Sequence, residues 1–280
     1  MDWEKTKRLI VISLCLLNIF LFIFIYNNNN TYRLTTNQEM AITSMLRSNN
    51  VICYVDILSN YSPMRQIEMQ QAEYDDDALP GIFMRSPETA VRSTERNRVI
   101  YRNETETLII EGPDVIYRNR GAGELAPLSS ESNESLCREL IQKIKKTGGN
   151  FTAENQTPIE TDDGLLFQYR DNFKGYTVNS NYVDIYITEH GIAWVEMKYH
   201  KPVSFVGMRR DICSADEALM SVLDSLRLIF GDKMEEPRFI TKMDIVYHNN
   251  LPTRATPYYR IFVSGFTQPF LVNAYENSVL

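Results

Sequence analysis

Apolar residues run without a charge from Leu9 to Tyr26, then recur at helical spacing in some segments and alternate with polar residues in others. The first pattern predicts a membrane-spanning helix. Eighteen residues at about 1.5 Å each reach roughly 27 Å, close to the roughly 30 Å hydrocarbon core of a bilayer. A cleavable leader has a shorter apolar stretch and a small-residue cleavage site, whereas this run ends in Ile25-Tyr26 and four asparagines, so it reads as an uncleaved signal-anchor. Lys5, Lys7 and Arg8 precede it and the next basic residue is Arg33. That asymmetry puts the N-terminus in the cytoplasm and the bulk of the chain outside.

Beyond the anchor the periodicities predict alternating helices and strands. Thr36-Asn37-Gln38-Glu39 has the form of a capping box and predicts a helix to about Ser48, followed by a strand over 51–58. From Gln66 to Arg98 the pattern dissolves around Asp75-Asp76-Asp77, Pro80-Gly81 and Pro87, which predicts a long surface excursion. Three short β runs follow at 98–102, 107–112 and 114–118, and Gly121, Gly123 and Pro127 mark a boundary. A helix is then expected from about Glu134, with Leu136, Leu140, Ile141 and Ile144 on one face and Gly148-Gly149 beyond its end. After a strand at 164–170, residues 182–199 form the clearest hairpin: Val183, Ile185 and Ile187 alternate with Tyr182, Asp184 and Tyr186, and Ala193, Val195, Met197 and Tyr199 with Trp194, Glu196 and Lys198. Ser214-Ala215-Asp216-Glu217 opens a helix carrying Leu219, Val222, Leu223, Leu226, Ile229 and Phe230, which Gly231 stops. Strands at 238–248, 257–264 and 268–275 close the chain. The expected class is α+β: antiparallel sheets with helices on one face, in two lobes. The divisions are a cytoplasmic tail 1–8, the membrane helix 9–26, a linker 27–35, a first extracytoplasmic lobe 36–126 and a second 127–280.

Charge and chemistry narrow the function. With 29 basic and 36 acidic side chains and a net charge of -7, the chain lacks the basic face that nucleic acid demands. Of four cysteines, Cys15 lies in the anchor, and Cys53, Cys137 and Cys213 are far apart in sequence with no C-x-x-C, leaving room for one disulfide whose partners the sequence does not choose. His190, His200 and His248 stand at no metal spacing, and His190 falls in a hairpin turn where exposure is expected. No phosphate loop, dinucleotide fingerprint or nucleophile elbow appears, so neither a cofactor nor a catalytic residue is assigned. The aspartate triplet lacks the alternating ligands and glycine of a calcium loop and reads as a solvated acidic turn. Two features suggest binding. Asn18, the one strongly polar side chain in the anchor, shares a face with Leu14, Leu21 and Ile25, a stripe suited to another membrane helix, although an unpartnered asparagine is equally compatible with the pattern. Tyr182, Tyr186, Tyr258 and Tyr275 fall on outer positions of expected strands, where either an interface or a half-buried sheet selects tyrosine.

Together these residues resemble a known family. The opening "MDWEKTKRLIVISLCLLNIFLF", the strand with Phe167 and Asp171, "KGYTVNSNYVDIYITEHGIAWVEMKY", "ICSADEAL" and the closing "PYYRIFVSG" and "VNAY" are similar to the YycI (WalI) family of Gram-positive bacteria. Tyr258-Tyr259-Arg260 depart from it where a tryptophan-containing strand is expected. The resemblance implies a YycH-domain-like outer part and a regulator without enzymatic activity. Such a protein is anchored beside the sensor histidine kinase YycG (WalK), acts with the membrane protein YycH, and influences cell-wall homeostasis. A second copy of the chain is a further candidate partner. The competing expectations are an anchored extracytoplasmic cell-wall hydrolase and a structural member of a wall-synthesis or division complex.

Overall fold

The computed structural model describes residues 3–121, 130–155, 157–231 and 234–280. By internal contacts they form two units that interleave along the chain: residues to Met64 with Arg209–Asp244 and Tyr259–Leu280, and Arg65–Met208 with Ile245–Tyr258.

The first unit begins with α1 (Trp3–Thr31). Residues 32–34 then pair with 59–61, through Leu34 N–H to Ser59 O (2.8 Å) and Tyr61 N–H to Tyr32 O (3.1 Å), while the Tyr32 hydroxyl donates to Asp211 (2.8 Å). The expected linker is therefore in part helix and in part a bridge held to the folded body. The capping box of α2 (Thr36–Ser48) lies one residue before the expected one: Thr35 is the cap, its Oγ1 accepts from Gln38 N–H at 3.4 Å, and its own N–H donates to Gln38 Oε1 at 3.0 Å. β1 (Val51–Cys53) lies parallel to the start of β13 (Arg238–Leu251), with Val51 opposite Arg238. The end of β14 (Arg254–Val263) and then β15 (Phe270–Asn273) continue the sheet. α5 (Ala215–Phe230) packs against α2 and β15. Glu217 accepts from the Ser214 N–H at 2.8 Å, and Gly231 at φ 86 ends the helix in a conformation glycine adopts without strain. Its Leu219, Val222, Leu223 and Leu226 are buried, each contributing about 1.5–3 kcal/mol of apolar transfer. Ile229 and Phe230, expected on the same face, are exposed because they lie in the last turn. A bidentate pair, Arg260 to Asp244 at 2.9 and 2.6 Å, is set into this unit with Arg260 buried.

The second unit is a large mixed sheet whose order runs β12 (His200–Arg210), β2 (Met64–Gln71), β14, β13, β10 (Tyr176–Thr188), β11 (Gly191–Lys198), β6 (Asp114–Asn119), β5 (Glu106–Glu111), β4 (Arg98–Arg102), β3 (Val91–Glu95). β9 (Gly164–Phe173) also pairs with β10 and carries β7 (Phe151–Ala153) and β8 (Ile159–Thr161). Most neighbours are antiparallel, but Val178 of β10 pairs with Tyr247 of β13 in parallel, so the sheet is not purely antiparallel as expected. α3 (Leu79–Phe83) and α4 (Ser130–Lys145) cover one face. There Cys137, Leu140, Ile141 and Ile144 of α4 meet Leu108, Val115, Val183, Ile185, Val195 and Met197 of the strands. Among them, Val183, Ile185, Val195 and Met197 are alternate residues that the hairpin pattern marks as facing a core. Gly164 is required where it stands, because a Cβ there would collide with the Ile187 carbonyl.

The expected excursion over 66–98 instead holds most of β2, α3, a short 3-10 turn and β3. Ile67 and Met69 of β2 are buried among glutamines and a glutamate that masked the strand. β12 was not expected at all, and Pro202 and Gly207 inside it are tolerated because it ends the strand order. The boundary expected at 126/127 lies outside the described residues. The elements on either side of it, β6 and α4, both belong to the second unit.

Candidate interaction surfaces

α1 is long and apolar enough to cross a membrane. Its window Thr6–Ile23 spans 18 residues, none of them buried against the rest of the chain. Leu14, Asn18 and Leu21 are all exposed on it, and the side chain of Ile25 lies outside the described residues.

The second surface is the sheet face opposite α4. Register places its residues in rows across the strands: Val91, Arg102, Thr107, Arg118, Trp194, Tyr186 and Leu166; then Ser93, Ile100, Ile109, Ile116, Glu196, Asp184 and Gln168; then Glu95, Arg98, Glu111, Asp114, Lys198, Tyr182 and Arg170. The third row is laced by ion pairs, Arg98 with Glu111 at 2.6 Å and Lys198 with Asp114 at 3.5 Å. At the β9 end, Arg170 reaches Asp184 at 2.7 Å and Glu154 at 3.2 Å. Its guanidinium also lies 5.3 Å from the Tyr182 ring, and the Tyr182 hydroxyl donates to Glu196 at 2.7 Å. Burial raises the Asp184 carboxyl above its ordinary range, and Arg170 partly offsets it. Burial and the Glu196 carboxylate likewise push the Tyr182 hydroxyl up, so it stays a donor. Tyr186 stacks on Trp194, with centroids 5.7 Å apart and planes at 19°.

Of the four tyrosines expected on outer faces, Tyr182 and Tyr186 thus share one face of β10. Tyr258 does not lie on an outer face: it is 1% exposed, because β14 runs between β2 and β13 and is buried on both sides from Ala255 to Ile261. Tyr275 is half-buried in the first unit, its ring beneath the Arg210 guanidinium at 4.4 Å and its hydroxyl donating to Met64 O.

Other candidate groups have structural partners. Glu106, which sequence reasoning missed, accepts from the Arg85 and Ser86 N–H groups, Asn103 and the Tyr117 hydroxyl (2.7 Å). Burial pushes its carboxyl up, but these bonds outweigh burial and leave it below its usual range. Asp171, also buried, accepts from Asn150 N–H and Asn181 Nδ2. Such cross-strand polar clusters carry no local sequence signal. Asp77 of the aspartate triplet is exposed, as expected of a solvated turn, and also accepts from the Tyr101 hydroxyl at 2.9 Å. His190 is half-buried and 3.1 Å from Glu189, and burial lowers the imidazoles of His200 and His248. Among the described residues no group of three His, Cys, Asp or Glu is placed to hold a metal ion, and all four cysteines are free thiols. A cavity of about 490 Å³ lies between α3 and α4, lined by Ile82, Arg85, Tyr117, Leu136, Glu139 and Lys143 among others.

No family model matches the chain, and no curated protein matches it by sequence. Solved structures do match in fold. A crystal structure of an uncharacterized protein from Eubacterium rectale aligns at 12% identity and TM-score 0.51, covering 82% of this chain and 90% of that one. YycH from Bacillus subtilis aligns at 12% identity and TM-score 0.46, over 76% of this chain and 54% of that one. The C-terminal domain of YpeB from Bacillus megaterium aligns at 7% identity and TM-score 0.38, over 75% and 96%. The Eubacterium rectale protein shows that this α+β fold, with its large mixed sheet, is shared with another bacterial protein.

Proposed function

We propose that this protein is a membrane-anchored, non-enzymatic regulator that binds and modulates a sensor histidine kinase of the YycG (WalK) type, together with a YycH-like membrane protein, and so affects cell-wall homeostasis. The observation that carries the reading is α1. An 18-residue apolar window with no cover from the folded units sits within the opening stretch that resembles the YycI family. Other stretches of that resemblance fall on the β10–β11 hairpin, the start of α5 and the greater part of β14. The N-terminus lies in the cytoplasm and the two folded units outside, so the chain meets a kinase in the membrane or beyond it. By linkage it shifts the kinase only as far as it binds one kinase state better than the other, typically about 1–3 kcal/mol.

The test is co-purification of the full-length protein from membranes beside a version whose residues 9–26 are replaced by an unrelated anchor. A histidine kinase and a second single-pass protein should accompany the native chain and be lost with the swap. Their absence from both preparations would overturn the reading.

A further inference from the structure

We propose that β3 pairs with β3 of a second copy, in antiparallel register centred on Ser93, to make a two-fold dimer of the full chain. β3 ends the strand order, and all five of its residues are exposed. The β3–β4 hairpin turns through Arg96 and Asn97, with Glu95 opposite Arg98. In a two-residue hairpin the closing pair exchanges both backbone bonds and the pattern then alternates. Val91, Ser93 and Glu95 therefore bond inward to β4, and Arg92 and Thr94 present their N–H and C=O groups to the open edge. Such an edge accepts another strand unless something blunts it, and β3 holds no proline.

Charge selects the occupant's register. A two-fold axis normal to the sheet permits pairings centred on Arg92, Ser93 or Thr94. The first sets Arg92 against Arg92 of the other copy, and the last sets Arg92 against Arg96. Only the pairing on Ser93 avoids like charges, placing Arg92 against Thr94 and Val91 against Glu95. It uses every outward group of Arg92 and Thr94 in both copies, and it covers Val91, which is 71% exposed. The row Ser93, Ile100, Ile109, Ile116 would then continue across the axis into its own copy.

Ser93 would face Ser93 as a non-hydrogen-bonded pair with Cα atoms about 4.5 Å apart, within disulfide reach. The experiment is oxidative cross-linking of the full chain in membranes, in a background with Cys15, Cys53 and Cys213 replaced by alanine. Ser93→Cys should form a disulfide dimer at least about tenfold more than Glu95→Cys alone. Val91→Cys and Glu95→Cys expressed together should link to each other. Thr94→Pro removes one outward N–H from each copy at an edge position that tolerates proline, and should weaken the dimer by about thirty-fold. Equal linking at Ser93 and Glu95, or a dimer indifferent to Thr94→Pro, would overturn the proposal.

Discussion

Arg170→Met tests whether the polar cluster on the open sheet face is structural. Methionine keeps much of the stem but removes the cation that Asp184 meets at 2.7 Å and Glu154 at 3.2 Å. The side chains involved are only 15%, 19% and 6% exposed, so the two carboxylates would be left together with little water. Removing one partner of a buried pair costs about 3–5 kcal/mol, and the residual exposure points to the lower end, about 3 kcal/mol. For a domain of this size that is a fall in Tm of roughly 6–12 °C. The pH dependence identifies the cause. Burial holds Asp184 above its ordinary pKa with Arg170 pulling it back, so the variant raises the folded pKa further. A carboxyl whose pKa is raised on folding is least destabilising below its unfolded value, and its cost grows as pH rises through the folded value. The deficit against the parent should therefore be largest near pH 8 and shrink on acidification towards about pH 5. Urea unfolding of the full chain in detergent, followed by fluorescence over this pH range, measures both. A loss below about 1 kcal/mol, or one that is flat with pH, would refute the reasoning.

Three further outcomes follow from burial and titration. Leu223→Ala in α5, at a position 0% exposed, should cost about 2–5 kcal/mol by chemical denaturation, whereas Leu228→Ala, at 89% exposed, should stay within about 0.5 kcal/mol. Glu106→Gln should cost about 1–3 kcal/mol at neutral pH by leaving donors unmatched. Since the Glu106 carboxyl is lowered in the fold, its stabilisation is present above the ordinary carboxylate pKa and is lost as pH falls through the folded value, so denaturation curves of parent and variant should converge in acid. Burial pushes the Cys137 thiol up to about 12, so iodoacetamide should label it only after unfolding, and mass-spectrometric detection of rapid native labelling at pH 8 would contradict its place on the buried face of α4.

The parts of the fold legible in the sequence are those where one periodicity repeats long enough to outweigh local noise. α5 and the β10–β11 pair are legible because apolar residues recur at helical spacing in the one and alternate in the other: Leu219, Val222, Leu223 and Leu226 are buried, as are Val183, Ile185, Ile187, Val195 and Met197, while Ile229 and Phe230 at the helix end and Ala193 beside the register shift of the hairpin are not. β2 failed because Ile67 and Met69 sit among residues that disfavour strands, and only pairing with β14, at Ala255 opposite Ile67, gives them a sheet to join. Tyr258 failed for a different reason. Alternation predicts one wet and one dry face, but a strand flanked and covered on both sides buries its polar positions too, and a tyrosine there keeps its hydroxyl bonded, here to Asn250. The same physics governs the candidate surfaces. α1 is legible because a long uncharged apolar run can be read residue by residue, whereas the Arg170 cluster and the Glu106 cradle depend on pairing between segments apart in sequence. A sheet face therefore yields its chemistry only once the rows are assembled, and the tyrosines that lie on it, Tyr182 and Tyr186, are distinguished from the buried Tyr258 by neighbouring strands rather than by anything in their own segment.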